Sequence, residues 1–216
     1  MSGETATEAA TASARVNDRH GKLARLVRER RGVLEFGCGP APRHPEAVTV
    51  DALDFEGVDV LGDVFDVLAA LPDASVDAVH SYHFLEHVAP LQRVVRELAR
   101  VLKPGGLLHA VVPHFSNPYY YSDYTHRQPF GLYSFSYLAD DTILHRRVPR
   151  YQVDTQLVLE DVVLGFKAAR PFYVRYALRR MVGVVVNCSR WTQEWYEAGW
   201  TGVLPCYEID FKLRKR

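Results

Sequence analysis

The sequence predicts an α/β fold: an open, mostly parallel sheet with helices on both faces. Three observations predict it. Between Leu26 and Pro113, short apolar runs alternate with helix-patterned segments, as parallel strands joined by crossovers do. The first run, residues 33–40 (VLEFGCGP), passes directly into a Gly-x-Gly turn at Gly37 and Gly39, where the missing β-carbons allow positive φ and close approach of a ligand. Several runs end in a polar side chain: Glu35, Asp51, Asp63, Tyr82 with His83, and His114. Open parallel sheets bind ligands beyond the carboxyl ends of their strands, so these residues are the first candidates for a site.

The elements follow in chain order. Residues 16–31 carry Leu23, Leu26 and Val27 among basic residues and read as an amphipathic helix laid over the edge of the domain or the cleft. Strands are expected over 33–36, 47–51, 58–61, 76–82 and 107–112. The link between the first two contains Pro40, Pro42 and Pro45 and is too short for a long crossover helix. A brief helix is expected over 65–71. Phe84, Val88, Leu91, Val95, Leu98 and Leu102 recur at three- and four-residue steps; this predicts a main helix opening near Pro90, preceded by a separate turn over 84–88 and ended by Pro104, Gly105 and Gly106. Beyond the fifth strand the sequence predicts a sixth strand or hairpin within 151–166, a helix over 171–186 with Pro171 in its first turn, a second over 191–200, and a closing strand over 207–213.

Composition narrows the function. Lys+Arg and Asp+Glu both number 26, so no bulk charge draws the chain to nucleic acid or an acidic membrane. Cys38, Cys188 and Cys206 are too scattered for a disulfide framework or a C-x-x-C metal site, and a reduced, cytoplasmic setting is expected. No run reaches the roughly 20 apolar residues of a membrane span. Residues 1–14, rich in Ala, Thr, Ser and Glu, are expected to form a disordered tail, and residues 15–216 a single domain.

The strand-end groups define a ligand. Asp51 can accept both hydroxyl protons of a ribose; Asp63 with Val64 can read an adenine edge; Glu35 suits a cationic amino group. A diphosphate cofactor would favour a third glycine and a helix N-terminus behind the loop, and residues 37–42 (GCGPAP) provide neither. A nucleoside with a cationic end, S-adenosylmethionine, fits this set, and NAD fits poorly.

Residues 34–39 (LEFGCG), 50–51 (VD), 62–63 (GD), 84–88 (FLEHV) and 100–107 (RVLKPGGL) together resemble the class I S-adenosylmethionine-dependent methyltransferases, close to the methyltransferase-11 type. The resemblance covers about residues 26–113. It implies a Rossmann-like three-layer sandwich with a seven-stranded, mostly parallel sheet whose last strand is antiparallel. By matching position, Glu35, Phe36, Gly37, Cys38 and Gly39 would line the methionine moiety, Asp51 with Ala52 the ribose, and Asp63 with Val64 the adenine, with Tyr82 and His83 under the sulfonium. The short link after the first strand departs from the many members that have a helix there.

Residues 114–141 form a tyrosine-rich insert, with Tyr119, Tyr120, Tyr121, Tyr124, Tyr133 and Tyr137. It is too long for an ordinary loop, so a lid or substrate wall is expected. Asp123, Thr125 and His126 resemble an Asp-x-Thr-His segment in one branch of bacterial methyltransferases. Methyl transfer to a hydroxyl needs a base, and His126 is the preferred one, with His114, His83 and Asp123 as the other catalytic candidates and Asp123 orienting His126. His80, His87 and His109 read as structural. A divalent metal on His114, Asp123 and His126 is the less favoured alternative, because their spacing matches no familiar ligand pattern. The expected activity is O-methylation of a sugar, glycan or small metabolite. The rivals are N- or C-methylation, a non-catalytic S-adenosylmethionine-binding protein and an NAD-dependent oxidoreductase. The sequence leaves a homodimer open.

Overall fold

The computed structural model describes residues 16–149, 155–168 and 173–216; the expected tail over 1–14 and the expected role of Pro171 lie outside them. The described strands form one nine-stranded sheet in the order β1-β4-β3-β2-β5-β6-β9-β8-β7. β2 (Val33–Phe36), β3 (Val48–Asp51), β4 (Val60–Leu61), β5 (Val76–Tyr82) and β6 (Leu102–Pro113) run parallel. β9 (Glu208–Lys215) inserts antiparallel between β6 and β8 (Leu157–Gly165). These seven are the expected strands, with the last one antiparallel as expected. The sheet exceeds the expected seven by two-residue additions at its edges: β1 (Asn17–Asp18) against β4, and β7 (Asp140–Asp141) against β8.

The parallel strands bury both faces. Leu34 and Phe36 of β2, Val50 of β3, Val79 of β5, and Leu108, Ala110 and Val112 of β6 belong to one core. Such side chains contribute roughly 1.5–3 kcal/mol each when fully buried. Helices then cover the sheet. α1 (Lys22–Glu29) buries Leu23 and Leu26 and leaves its basic face outward. α2 (Val64–Ala70) is started by the Asp63 carboxylate, which accepts the Phe65 N–H at 2.8 Å; the acid that ends β4 is thus also a helix cap. α3 (Leu91–Val101) buries Val94, Val95, Leu98, Ala99 and Val101 on one face. α4 (Tyr173–Val186) and α5 (Arg190–Gly199) precede β9, and α5 opens on a capping box between Ser189 and Thr192.

One boundary differs from expectation. α3 ends at Val101, before Pro104, Gly105 and Gly106, and these residues form a bulge inside β6. Val76 pairs with Leu102 and Ala78 with Leu107, so the four residues between Leu102 and Leu107 loop out. Gly105 takes φ +79°, and a β-carbon on Gly106 would lie 2.8 Å from the Lys103 carbonyl oxygen. The glycines build a turn within a strand.

The insert over residues 114–141 has little regular structure but a core of its own. Phe130, Leu132 and Phe135 are fully buried, and His114 bridges to Phe130. Its tyrosines divide: Tyr120 is buried, whereas Tyr119, Tyr121 and Tyr124 are exposed. No helix among the described residues is long and apolar enough to cross a membrane.

Candidate active site

The carboxyl ends of β2, β3, β4 and β5 open on a cavity of about 250 Å³. Phe36, Val50, Val64, Phe65, Phe84 and Val88 give it apolar walls, and Asp51 and Asp63 supply two carboxylates. Ala52 and His87 also line it. Phe36 and Phe84 stack at 6.0 Å between ring centroids, so one wall is aromatic. A flat base enclosed by apolar side chains, with acids on its sugar side, suits such a space.

The glycine turn shapes this wall from behind. Gly37 has φ +66°, and its N–H donates to the Val50 carbonyl at 2.9 Å. A β-carbon there would lie 2.5 Å from Phe84 Cβ. Gly37 is therefore the space into which Phe84 packs. Gly39 also has positive φ, +57°, but nothing lies within 4 Å of where its β-carbon would be. Its N–H donates to Asp51 Oδ2 at 2.9 Å, and the Leu53 N–H donates to Asp51 Oδ1 at 2.9 Å. Each oxygen keeps a lone pair for a further donor. Two backbone amides thus fix the aim of the Asp51 carboxylate. Cys38 is buried beside them, and burial with the nearby charges of Asp51 and Glu35 pushes its thiol up to about 12, which leaves it protonated and unreactive.

Of the residues expected to bind the cofactor, Phe36, Asp51, Ala52, Asp63 and Val64 line the cavity. Glu35 and Tyr82 are placed elsewhere. Consecutive strand residues face opposite sides of a sheet, so Glu35 points away from the side that Phe36 lines. Its buried carboxylate accepts N–H bonds from Arg43 (3.0 Å) and His44 (3.0 Å) and so secures the proline-rich link. Tyr82 lies on that same side. Its hydroxyl meets His44 Nε2 at 2.8 Å, and the Arg43 guanidinium stands 4.1 Å over its ring. His44 stacks on His80 at 3.7 Å, and His109 Nε2 pairs with Asp210 at 2.9 Å. Burial, with the neighbouring His44 and His109, lowers His80 to about 4, so this ring is neutral at physiological pH. The reading of His80 and His109 as structural agrees with this packed cluster.

The catalytic candidates separate as clearly. His114 is fully buried, with Nδ1 on Ser116 Oγ at 2.7 Å and Nε2 on Glu197 Oε2 at 2.9 Å. With both nitrogens engaged it has none free for an acceptor, and its expected place among the bases is corrected to a structural one. His83 sits between Glu86 (3.6 Å) and Glu208 (3.3 Å). Burial alone would lower its pKa, but the two carboxylates outweigh it and lift the imidazolium to about 9. A ring already protonated at neutral pH cannot act as general base, so His83 is corrected to a fixed positive charge. His126 Nδ1 donates to the Tyr120 carbonyl at 2.8 Å, so in the neutral ring the lone pair is on Nε2. Asp123 stands 3.7 Å from that Nε2, beyond hydrogen-bond reach, and accepts instead from the Thr125 N–H and hydroxyl. The expected orienter of His126 is thus the Tyr120 carbonyl rather than Asp123.

His87, read from the sequence as structural, is the histidine that lines the cavity. Its ring lies 4.8 Å from that of His126. Phe84, Phe65 and Val88 are further cavity residues to which the sequence assigns no role. The signal for Phe84, His87 and Val88 was their place directly after β5, in the very segment that carried the resemblance.

Residues 43–110 match the model of a methyltransferase domain. In two strains of Mycobacterium tuberculosis, a protein named probable S-adenosylmethionine-dependent methyltransferase is 36% identical over 99 residues, which cover 39% of this chain and 36% of that protein. Over this segment the chain is thus similar to S-adenosylmethionine-dependent methyltransferases. It spans about a third of the length of the curated relatives that it matches. The crystal structure of a SAM-dependent methyltransferase from Archaeoglobus fulgidus superposes with a TM-score of 0.53 at 19% identity, covering 90% of this chain and 92% of that one. That likeness shows the fold: an α/β sandwich built on a mostly parallel sheet. The cavity lies beyond the ends of the strands that carry Phe36, Asp51 and Asp63.

Proposed function

We propose that this methyltransferase moves a methyl group from S-adenosylmethionine to a hydroxyl oxygen of a sugar, glycan or small metabolite. The observation that carries the reading is the pair of carboxylates, Asp51 and Asp63, at adjacent strand ends in one apolar, aromatic-walled cavity. Asp51, already held by the Gly39 and Leu53 amides, accepts the ribose hydroxyls. Asp63, fixed as the cap of α2, accepts from the base, and Phe36 and Phe84 flank it. When bound, S-adenosylmethionine supplies an electrophilic methyl on a positively charged sulfur. The chain's part is then to place the acceptor in line and to take its proton.

His126 is the proposed base, because its Nδ1 donates to a carbonyl and leaves Nε2 as the acceptor nitrogen of the neutral ring, while His83 is held as a cation and His114 is sealed off. Exposed Tyr119, Tyr121 and Tyr124 supply aromatic surface of the kind that sugar rings stack on. Three free cysteines accord with a reducing, cytoplasmic setting.

Calorimetry with S-adenosylmethionine and S-adenosylhomocysteine, followed by a methyl-transfer screen over sugars, phenols and amines, tests the proposal. Micromolar binding and an O-methylated product are expected. Absence of cofactor binding overturns the enzyme reading. Products methylated only on nitrogen or carbon overturn the hydroxyl acceptor and favour the rival transferase.

A further inference from the structure

We infer that Glu86, His87 and His126 form a binding site for one divalent transition-metal ion beside the cofactor cavity. One ligand atom from each lies within 4.8 Å of the others. Bonds of about 2.0–2.2 Å to a common ion put ligand atoms roughly 3–4 Å apart, so the three need to draw in by about 1 Å.

Two features make this more than a chance cluster. Glu86 is 1% exposed, and its Oε2 is a buried oxygen with no hydrogen-bond partner among the described residues. A buried carboxylate oxygen left unpaired is costly, and a cation would satisfy it. Its Oε1 lies 3.6 Å from His83 and 3.9 Å from His87 Nε2, both beyond hydrogen-bond distance. The second feature is the histidine tautomers. A carbonyl only accepts, so the 2.8 Å contact with Tyr120 fixes the proton of His126 on Nδ1. The Thr125 hydroxyl donates to Asp123 Oδ1 at 2.5 Å and therefore accepts from His87 Nδ1 at 2.9 Å. In the neutral form each ring therefore keeps its lone pair on Nε2, and His87 Nε2 lies 3.9 Å from Glu86 Oε1. Ligating histidines are oriented in this way, with the other nitrogen donating to a carbonyl or to a hydroxyl backed by a carboxylate. Two imidazoles and one carboxylate suit zinc, cobalt or nickel better than magnesium or calcium.

The site replaces the metal set considered from sequence. His114 is locked on Ser116 and Glu197, whereas Glu86 and His87 come from the segment after β5. Its use would deepen the methyl-transfer reading and rests on it: a cation here would polarise an acceptor oxygen and take over the task assigned to His126.

The test is a cobalt(II) titration of the EDTA-treated full chain, read by d–d absorption and calorimetry, with zinc as competitor. One equivalent is expected to bind with a discrete visible band. His87→Gln and His126→Gln should each weaken binding at least 100-fold, and Thr125→Val, which frees His87, about 10-fold. Glu86→Gln should lose the site; if that variant does not fold, His126→Gln, on the insert, decides the matter. His80→Gln, in the separate cluster, should bind as wild type. The inference falls if cobalt and zinc do not bind stoichiometrically, if the His87 and His126 variants bind unchanged, or if His80→Gln abolishes binding. Calorimetry with S-adenosylmethionine in EDTA separates the two readings, since cofactor binding without metal binding refutes this site alone.

Discussion

Gly37→Ala and Gly39→Ala form a matched pair that isolates how the cavity wall is built. Both residues have positive φ, +66° and +57°, so an alanine at either costs about 1–2 kcal/mol of backbone strain. Only at Gly37 does the new β-carbon collide, 2.5 Å from Phe84 Cβ and 2.8 Å from two atoms of its ring. Forcing one carbon into a packed site adds roughly 1–3 kcal/mol. Gly37→Ala should therefore lose about 2–5 kcal/mol and Gly39→Ala about 1–2 kcal/mol, measured by urea unfolding with unchanged m-value. Because Phe84 is also a cavity wall stacked on Phe36, cofactor affinity should fall at least tenfold further in Gly37→Ala than in Gly39→Ala. The nearest obstacle is the β-carbon of Phe84 itself, so combining Gly37→Ala with Phe84→Ala leaves the clash, and only Phe84→Gly removes it. Equal destabilisation by the two alanines would refute the packing argument.

Three further outcomes are expected. Asp63→Ala should lose about 1 kcal/mol through the α2 cap and at least tenfold in cofactor affinity, whereas Asp63→Asn should keep the cap and lose only the affinity; thermal unfolding and calorimetry separate the two. Asp59 is buried: burial acts to raise its pKa, but hydrogen bonds from Lys22 (2.8 Å), the Thr49 N–H (3.2 Å) and His20 (2.9 Å) outweigh it and hold the carboxyl below its ordinary value. Its contribution is therefore complete above the unfolded pKa of about 3.9 and is lost as pH falls through the lower folded value; acid unfolding of Asp59→Asn should lack that limb, and an unchanged acid profile would contradict the assignment. His114→Ala should cost about 2–4 kcal/mol, from the cavity and the unpaired Glu197, with turnover per folded molecule retained; lost turnover in a fully folded variant would restore His114 as a base.

The parallel sheet was legible because each strand is an apolar run with a polar end, a pattern that burial on both faces demands. β1 and β7 were not legible, since two-residue pairings leave no periodicity and depend on which edges happen to meet. Residues 104–106 carry ordinary helix-stop chemistry, yet Val101 had already ended α3, and the same glycines serve a strand bulge. In the cleft, Asp51 and Asp63 followed from the rule that ligands lie beyond strand ends. Glu35 and Tyr82 do not line the cavity, because that rule names an end of the sheet without naming a face. The registers Glu35↔His80 and Phe36↔Ser81 decide that Glu35 joins His80 and Tyr82, whereas Phe36 joins the cavity.

The insert shows why the acceptor side resists reading from sequence. His87 and His126 stand far apart in the chain, and no spacing rule connects them. They meet because the Arg127 N–H donates to the Glu86 carbonyl at 2.7 Å and Gln128 Nε2 donates to the Val88 carbonyl at 2.6 Å, docking the insert onto residues 84–88. The Thr125 hydroxyl then reaches His87. These contacts use backbone carbonyls, which every residue carries, so the side-chain sequence records only half of each bond. The segment that walls the cavity and the segment that bears the proposed base are thereby held as one unit. A substitution that loosens this docking, such as Gln128→Ala, should disturb acceptor turnover far more than cofactor binding, because no residue of the insert lines the cavity that holds Asp51 and Asp63.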